Sequence, residues 1–395
     1  MNLSKIDITP PRLILYLFAV ACAFSLSATT VLISAIFFYY ILNIKKNFLS
    51  SPKDFIYFIV FYTWRGITDI LNGFYSSFFT AFGDIWDKIP YVTASQFKFD
   101  KKTIENFLKV LLWTNIVIVI YALLQKYAGF PIVVKKLFTD DWLRFKGYHS
   151  HPLRFAGYLS TVSVIAFSFG IYYRKSFICL AILVFIGLIL NGSRTYWFSV
   201  VLTVGVISFL KSWRSVLFIL LTAAIIGVIS YYLFPEVSMR IRSSYDSNYR
   251  INNLSDIELR KNFWKAGIEI STKKPVYGIG AKKVGKYLKP YEEKGLIDNT
   301  AHCHNVYITY LAESGIIGIG LLIFLMFYFL RKYFVIYRNS TDDFIKAIAI
   351  SAFACWLNVA ISGFFENNFS TLVLWGIMSF WIGVVESYLY NHKEA

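Results

Sequence analysis

Residues 301–330 read AHCHNVYITYLAESGIIGIGLLIFLMFYFL: a short polar head with two histidines runs straight into an apolar stretch whose one charge is Glu313. From Val306 onward the stretch is long enough to cross a hydrocarbon layer roughly 30 Å thick, so it reads as a membrane helix. If His304 opens that helix, successive steps of about 100° place Gly315 beneath it on the same face, with Gly318 about 40° away. A polar head then stands above a smooth strip that a neighbouring helix can approach closely.

Similar runs recur from end to end. Of 395 residues, 57% are hydrophobic and 16% charged, a balance that excludes an ordinary soluble domain. Hydropathy places spans at about 13–26, 30–43, 54–72, 75–95, 104–124, 152–172, 175–191, 194–211, 214–234, 304–330, 343–364 and 369–389. Asp84, Asp87, Lys88 and Pro90 interrupt the fourth. The first is read as an uncleaved helix, because the apolar pattern resumes directly after it. The expected fold is an all-α polytopic membrane protein of about twelve transmembrane helices, one membrane domain over residues 1–395.

The net charge of +17 is explained by topology and not by nucleic acid. Lys45, Lys46, Lys53, Lys98, Lys101, Lys102, Arg174, Lys175, Lys211, Arg214, Arg331, Lys332 and Arg338 gather on one side if the fourth span crosses. That side is the cytoplasm by the positive-inside rule, which leaves the opposite tips outside. Cys22, Cys179, Cys303 and Cys355 have no metal or disulfide spacing, so neither zinc nor a disulfide framework is expected.

Two external segments break the pattern, a shorter loop over 125–151 and a large one over 235–303. The latter holds thirteen Lys or Arg against eight Asp or Glu. Within it, residues 256–270 have helical apolar spacing and an acidic first turn, as expected of a short amphipathic helix at the membrane surface, with Arg260 and Trp264 on one face. Pro275 ends it, and a tight turn follows at residues 277–280.

Arg194, in the turn Leu190-Asn191-Gly192-Ser193-Arg194, is the anomaly among the short external tips. A guanidinium pinned there is a fixed fork suited to phosphate, and Arg260 can supply a second. Arg144, Lys146, His149, His151 and Arg154 surround Gly147 and Pro152; together they would neutralise a polyanion, the smallest fitting one being a diphosphate. His149 and His151 lack a third ligand at recognisable spacing, so no metal is expected. His304 can accept a proton near neutral pH, as a general base must, with His302 the rival and Asn305 placed to orient a sugar hydroxyl. Arg65 and Asp69, four residues apart, are expected to pair along one helix face, and Glu313 to serve a buried polar partner. No Walker motif, GxGxxG unit, haem or iron–sulfur spacing occurs, so the chain is expected to work without a cofactor.

These residues resemble the O-antigen ligase superfamily of bacterial membrane glycosyltransferases. The ligase pattern of His-Asn, nine residues, Gly, two residues, Gly is matched by His304-Asn305 and Gly315-Ile316-Ile317-Gly318. The turn at Gly192-Ser193-Arg194 resembles the family's first arginine region. Arg260 with Pro275 and Gly278-Ile279-Gly280 resembles its second, although Trp264 stands where the family has Leu. The resemblance implies a fold similar to GT-C-type membrane glycosyltransferases and a site facing the periplasm from the bacterial inner membrane. It also implies a glycan donor linked to undecaprenyl diphosphate and a lipid A-core acceptor. Arg194 and Arg260 would hold the diphosphate, Arg144, Lys146, His302 and Asn305 would assist in binding, and His304 would activate the acceptor.

The reaction so implied is direct, inverting transfer without metal or nucleotide. An O-antigen polymerase and a protein O-oligosaccharyltransferase would bind the same kind of donor and are the nearest alternatives. A transporter or flippase for a lipid-linked glycan is the alternative of another class, but it predicts midplane charges in broken helices and an internal repeat.

Overall fold

The computed structural model describes residues 10–42, 52–132, 136–139, 144–246 and 254–393. Lys45, Lys46, Asp140 and Asp141 lie outside the described residues, as do parts of both external loops. Sixteen α-helices follow in chain order among the described residues. They are α1 Pro10–Phe24, α2 Leu26–Leu42, α3 Ile56–Leu71, α4 Phe78–Phe82, α5 Ile89–Ala94, α6 Lys101–Tyr127, α7 Pro152–Tyr172 and α8 Ser176–Asn191. Then come α9 Arg194–Lys211, α10 Trp213–Leu233, α11 Pro235–Arg242, α12 Asp256–Ser271, α13 Val284–Glu293, α14 Val306–Asn339, α15 Asp343–Gly363 and α16 Leu372–Lys393.

Six of these helices, α6, α7, α10, α14, α15 and α16, are long and apolar enough to cross a membrane. Three shorter apolar helices, over 12–24, 27–42 and 176–191, accompany them, and the chain is a polytopic membrane protein. In α7 and α16, 89% of the apolar stretch is buried by protein, against 6% in α10; the first two form the centre and α10 faces outward. Lipid tails are as apolar as leucine, so this centre is held by packing and polar contacts. Trp356 stacks on Phe329 with centroids 4.6 Å apart. Asn358 Nδ2 donates to Ser160 Oγ at 3.0 Å, Asn115 Nδ2 to Tyr158 at 2.8 Å, and Trp381 Nε1 to Ser351 Oγ at 3.0 Å.

The stretch expected as a fourth continuous span is instead broken into 3-10 turns at 75–77 and 83–88 and the short helices α4 and α5. It nevertheless runs the length of the bundle. Ser77 at its start receives Lys283 from the large loop at 3.0 Å. Tyr91 near its end donates to Asp54 at 2.5 Å, and Asp54 also receives Lys332 at 2.6 Å, about 28 Å along α14 from Glu313, whose carbonyl accepts Gly280 of the same loop. Irregular backbone at such depth is tolerated where protein buries it.

The charges that break this stretch form a balanced interior network. Arg65, 1% exposed, pairs with Glu313 at 2.9 Å and Asp84 at 3.2 Å, and Lys282 meets Asp84 at 2.8 Å. Lys88 pairs with Asp87 and donates to the Phe369 carbonyl at 2.9 Å. Glu313 thus serves an interior arginine, but the expected Arg65–Asp69 pair is not formed: Asp69 Oδ1 instead accepts the Ala281 amide at 2.8 Å. Two better-placed carboxylates have taken Arg65.

The helical-wheel reading of residues 304–318 also needs correction. Asn305 is the N-cap of α14, its side chain accepting the Ile308 amide, so the helix begins at Val306 and His304 lies outside it with φ +48°. Gly315 does not line a smooth strip. With φ 66° and ψ −169° it interrupts the helix, a conformation essentially restricted to glycine. Such a break separates the carbonyls of Ala312 and Glu313 from the amides of Ile316 and Ile317. The loop 275–280 meets all four groups: the amides of Ile279 and Gly280 donate to Ala312 and Glu313, and those of Ile316 and Ile317 donate to Pro275 and Val276. The approach is close enough that a Cβ on Gly315 would lie 2.2 Å from the Val276 oxygen, and one on Gly278 2.3 Å from the Glu313 oxygen. The glycines serve a loop inserted against the helix.

Candidate active site

At the end of the bundle bearing the large loop, α8 terminates at Asn191 and reverses through Gly192, whose φ of +75° suits a residue without Cβ. Asn191 Nδ2 ties the turn to the shorter loop by donating to the carbonyls of Phe145 at 2.6 Å and Pro152 at 2.8 Å. Arg144 reaches back, Nε donating to the Asn191 carbonyl at 3.0 Å and Nη2 to Ser193 Oγ at 2.7 Å. Burial pulls its guanidinium down to about 10, so it is still cationic at neutral pH.

Arg194 opens α9 beside this turn. One terminal nitrogen donates to the Arg240 carbonyl at 2.7 Å and to Ser244 Oγ, and the other pairs with Asp256. Asp256 belongs to the first turn of α12, which Ser255 and Glu258 fix with a reciprocal capping box. The acidic first turn expected from the sequence therefore meets an arginine as well as its own helix dipole. One turn further on, Arg260 Nη2 donates to Thr195 Oγ1 at 3.2 Å and reaches Glu366 Oε1 at 3.4 Å. Its guanidinium stands 5.7 Å over the Phe365 ring, which Trp264 also contacts.

Glu366 is the residue that joins these parts. It lies in the short connection between α15 and α16, 7% exposed, with Oε2 3.7 Å from His304 Nδ1. Burial would raise its carboxyl, but His304 and Arg260 outweigh that and hold it below the usual carboxylate value. Arg144 and Arg194 also lie within electrostatic reach. Sequence reasoning missed it, because Glu366 is a lone carboxylate in a short tip, where a solvated group is an ordinary explanation.

His304 packs edge-on against Phe263 at 5.0 Å and His302 at 4.7 Å, and its backbone amide donates to His302 Nδ1 at 3.3 Å. A left-handed histidine is costly, so the surrounding contacts must hold it. Burial first, and the neighbouring His304 second, push His302 down to about 4. Asn305 spends its side-chain oxygen on the helix cap, and Lys146 joins the structure through its backbone amide to Leu137 at 2.8 Å. His149 is buried against Phe155, and His151 caps α7 by accepting the Leu153 amide at 3.2 Å. Among the described residues no group of three or more His, Cys, Asp or Glu could hold a metal ion.

Three guanidinium groups, two carboxylates and two imidazoles thus meet at one end of a helical membrane bundle. The arrangement has the character of a site for an anionic, membrane-borne substrate, with a carboxylate-backed imidazole beside the cations. Residues 177–324 match the O-antigen ligase family model, a range that includes Arg194, Arg260, His302, His304 and Gly315. The match supports this chain's place in the O-antigen ligase superfamily, whose members are ligases and polymerases of glycosyltransferase type. No curated protein matches the chain.

Proposed function

We propose that the protein is an O-antigen ligase that transfers a glycan from undecaprenyl diphosphate to a sugar hydroxyl of lipid A-core. The reaction takes place at the periplasmic side of the bacterial inner membrane. The observation that carries this reading is the convergence of Arg194, Arg260, Glu366 and His304 at the bundle end opposite Lys101, Arg174, Lys211 and Lys332, on a chain that matches the O-antigen ligase family model. Positive residues mark the cytoplasmic side, which leaves the site outside.

In the proposed reaction the acceptor oxygen attacks the anomeric carbon as the bond from that carbon to the diphosphate oxygen breaks. The acceptor proton passes to the Nε2 of His304, while Glu366 faces Nδ1, holds the ring and compensates the charge that develops on it. The electron pair of the broken bond leaves with the diphosphate, and preorganised guanidinium groups stabilise that charge as it grows. In the free protein Asp256 and Glu366 hold the two forks extended, and the donor diphosphate competes with them for Arg194 and Arg260.

The test is transfer by the purified, reconstituted chain from lipid-linked glycan to lipid A-core, to a peptide, or to a second lipid-linked repeat. Transfer to core alone is expected; robust transfer to peptide with none to core overturns the ligase reading in favour of a protein O-oligosaccharyltransferase. Transfer only to a second repeat overturns it in favour of an O-antigen polymerase. His304→Ala should remove about 10² to 10⁴-fold of the rate while donor binding persists. Arg194→Lys keeps the charge but cannot bridge Asp256, Ser244 and the Arg240 carbonyl together, and should lose most turnover. Near-normal turnover at matched protein level would remove Arg194 from the site.

A further inference from the structure

At the opposite end of the bundle, between α7, α8, α9 and the outlying α10, lies a cavity of about 410 Å³ that no step of the proposed reaction uses. Its walls are apolar, among them Ile178, Val204 and Ile226, and they run from Arg214 to Ile226 on α10, about 18 Å along that helix. One leaflet of hydrocarbon is about 15 Å deep, half of the roughly 30 Å core. Only Ser230 of α10 is buried, so the cavity borders a helix that the bundle leaves to the lipid.

All the charge in the lining sits at one end. Lys175, before α8, and Lys211 and Arg214, at the α9–α10 junction, line that end, and no carboxylate lines the cavity. None of the three takes part in a described ion pair; Lys211 donates to the Ile171 carbonyl, and Arg214 stands over Trp213. Arg194 lies about 26 Å from Lys211 along α9, so this cluster is separate from the one at the large loop.

We infer that this cavity is a binding site for one anionic phospholipid of the leaflet opposite the active site, its phosphate on Lys175, Lys211 and Arg214 and an acyl chain between α8 and α10. Depth selects a lipid tail, and the uncompensated cations at the rim select a negative headgroup. Each cation near an anionic bilayer surface strengthens association about five-fold, and three together about a hundred-fold. The inference requires only which end of the bundle holds the three cations, so it stands or falls apart from the glycosyl-transfer reading.

The full chain, purified in detergent, is titrated with fluorescent phosphatidylglycerol and with phosphatidylcholine carrying the same acyl chains. Phosphatidylglycerol is expected to bind more tightly. Its advantage should fall by about a hundred-fold in K175Q/K211Q/R214Q and be lost in Ala223→Trp, which fills the apolar part while keeping every charge. Both variants must elute as the parent does in size-exclusion chromatography, with single R214Q, expected to lose about five-fold, as the milder replacement. Equal binding of the two lipids overturns the inference. So does loss of preference in the charge variant with full retention in Ala223→Trp, because that pattern describes a charged surface without a cavity. Displacement of phosphatidylglycerol by undecaprenyl diphosphate at lower concentration than by unlabelled phosphatidylglycerol would assign the cavity to the donor lipid instead.

Discussion

Replacing Gly315 by alanine tests the helix break directly. If the break is kept, the new Cβ sits 2.2 Å from the Val276 oxygen and the backbone takes a glycine-only conformation, at about 1–3 kcal/mol for the strain alone. If the helix instead closes, the amides of Ile316 and Ile317 recover their own helical carbonyls, and the loop 275–280 is expelled. Four loop–helix bonds then become two helical ones, a net loss of about 1–3 kcal/mol. Ile279, 1% exposed, also loses its burial, at about 1.5–3 kcal/mol. The second route costs roughly 3–6 kcal/mol in local terms and leaves the rest of the bundle intact. At 1.4 kcal/mol per decade, amide exchange in 275–282 should accelerate about 10² to 10⁴-fold by hydrogen–deuterium exchange mass spectrometry, with little change in the core of α7. Gly320→Ala is the control, since a Cβ there meets nothing within 4 Å. Unchanged exchange in 275–282 for Gly315→Ala, with an unchanged melting temperature, would refute the pairing of loop and helix.

Further outcomes follow from the two charge clusters. Arg65→Met strands Glu313, while Asp84 keeps Lys282, and should cost about 3–5 kcal/mol in denaturant or thermal unfolding; adding Glu313→Gln should restore part of it, and a loss under about 1 kcal/mol in the single variant would show the network to be dispensable. His302 is held at about 4 in the fold against an ordinary value near 6.5. The unfolded chain therefore binds the extra proton between those values, and stability should fall as pH drops from about 6.5 to 4. His302→Gln should flatten that slope in melting temperature, and an unchanged slope would dismiss His302 as its source. Glu366→Gln should cost part of the roughly 10² to 10⁴-fold that a positioned base contributes and move the pH–rate profile, with a core-acceptor transfer assay as the readout; a normal rate and profile would separate Glu366 from His304.

The class of fold was legible because hydropathy is a property of each segment alone, and the apolar helices α6, α7, α14, α15 and α16 lie where their runs predict. The break at residues 75–94 was visible as Asp84, Asp87, Lys88 and Pro90. Its consequence was not, because the partners of those charges come from α3, α14 and residues 282 and 369. Arg194 stood out as a charge in a short turn, Arg260 as a guanidinium on the amphipathic helix of the large loop and His304 as a titratable group at the head of a membrane helix, and the structure brings all three to one end. Glu366 and Asp256 escaped because a lone carboxylate in a tip, or in the first turn of a helix, already has an ordinary local explanation. Gly315 was read with the wrong geometry: helical spacing assumes an unbroken helix, and only the distant backbone of residues 275–280 makes a break affordable.

That shared backbone also limits how the protein can be rebuilt. Four bonds cross between residues 275–280 and 312–317, so an exchange of the outer loop with that of a protein from the O-antigen ligase superfamily cannot be joined at the start of α14. A graft ending there would pair a foreign turn with a resident interruption, leaving both mismatched. The seams of a working hybrid belong before Pro275 and beyond Ile317, with the intervening piece inherited whole.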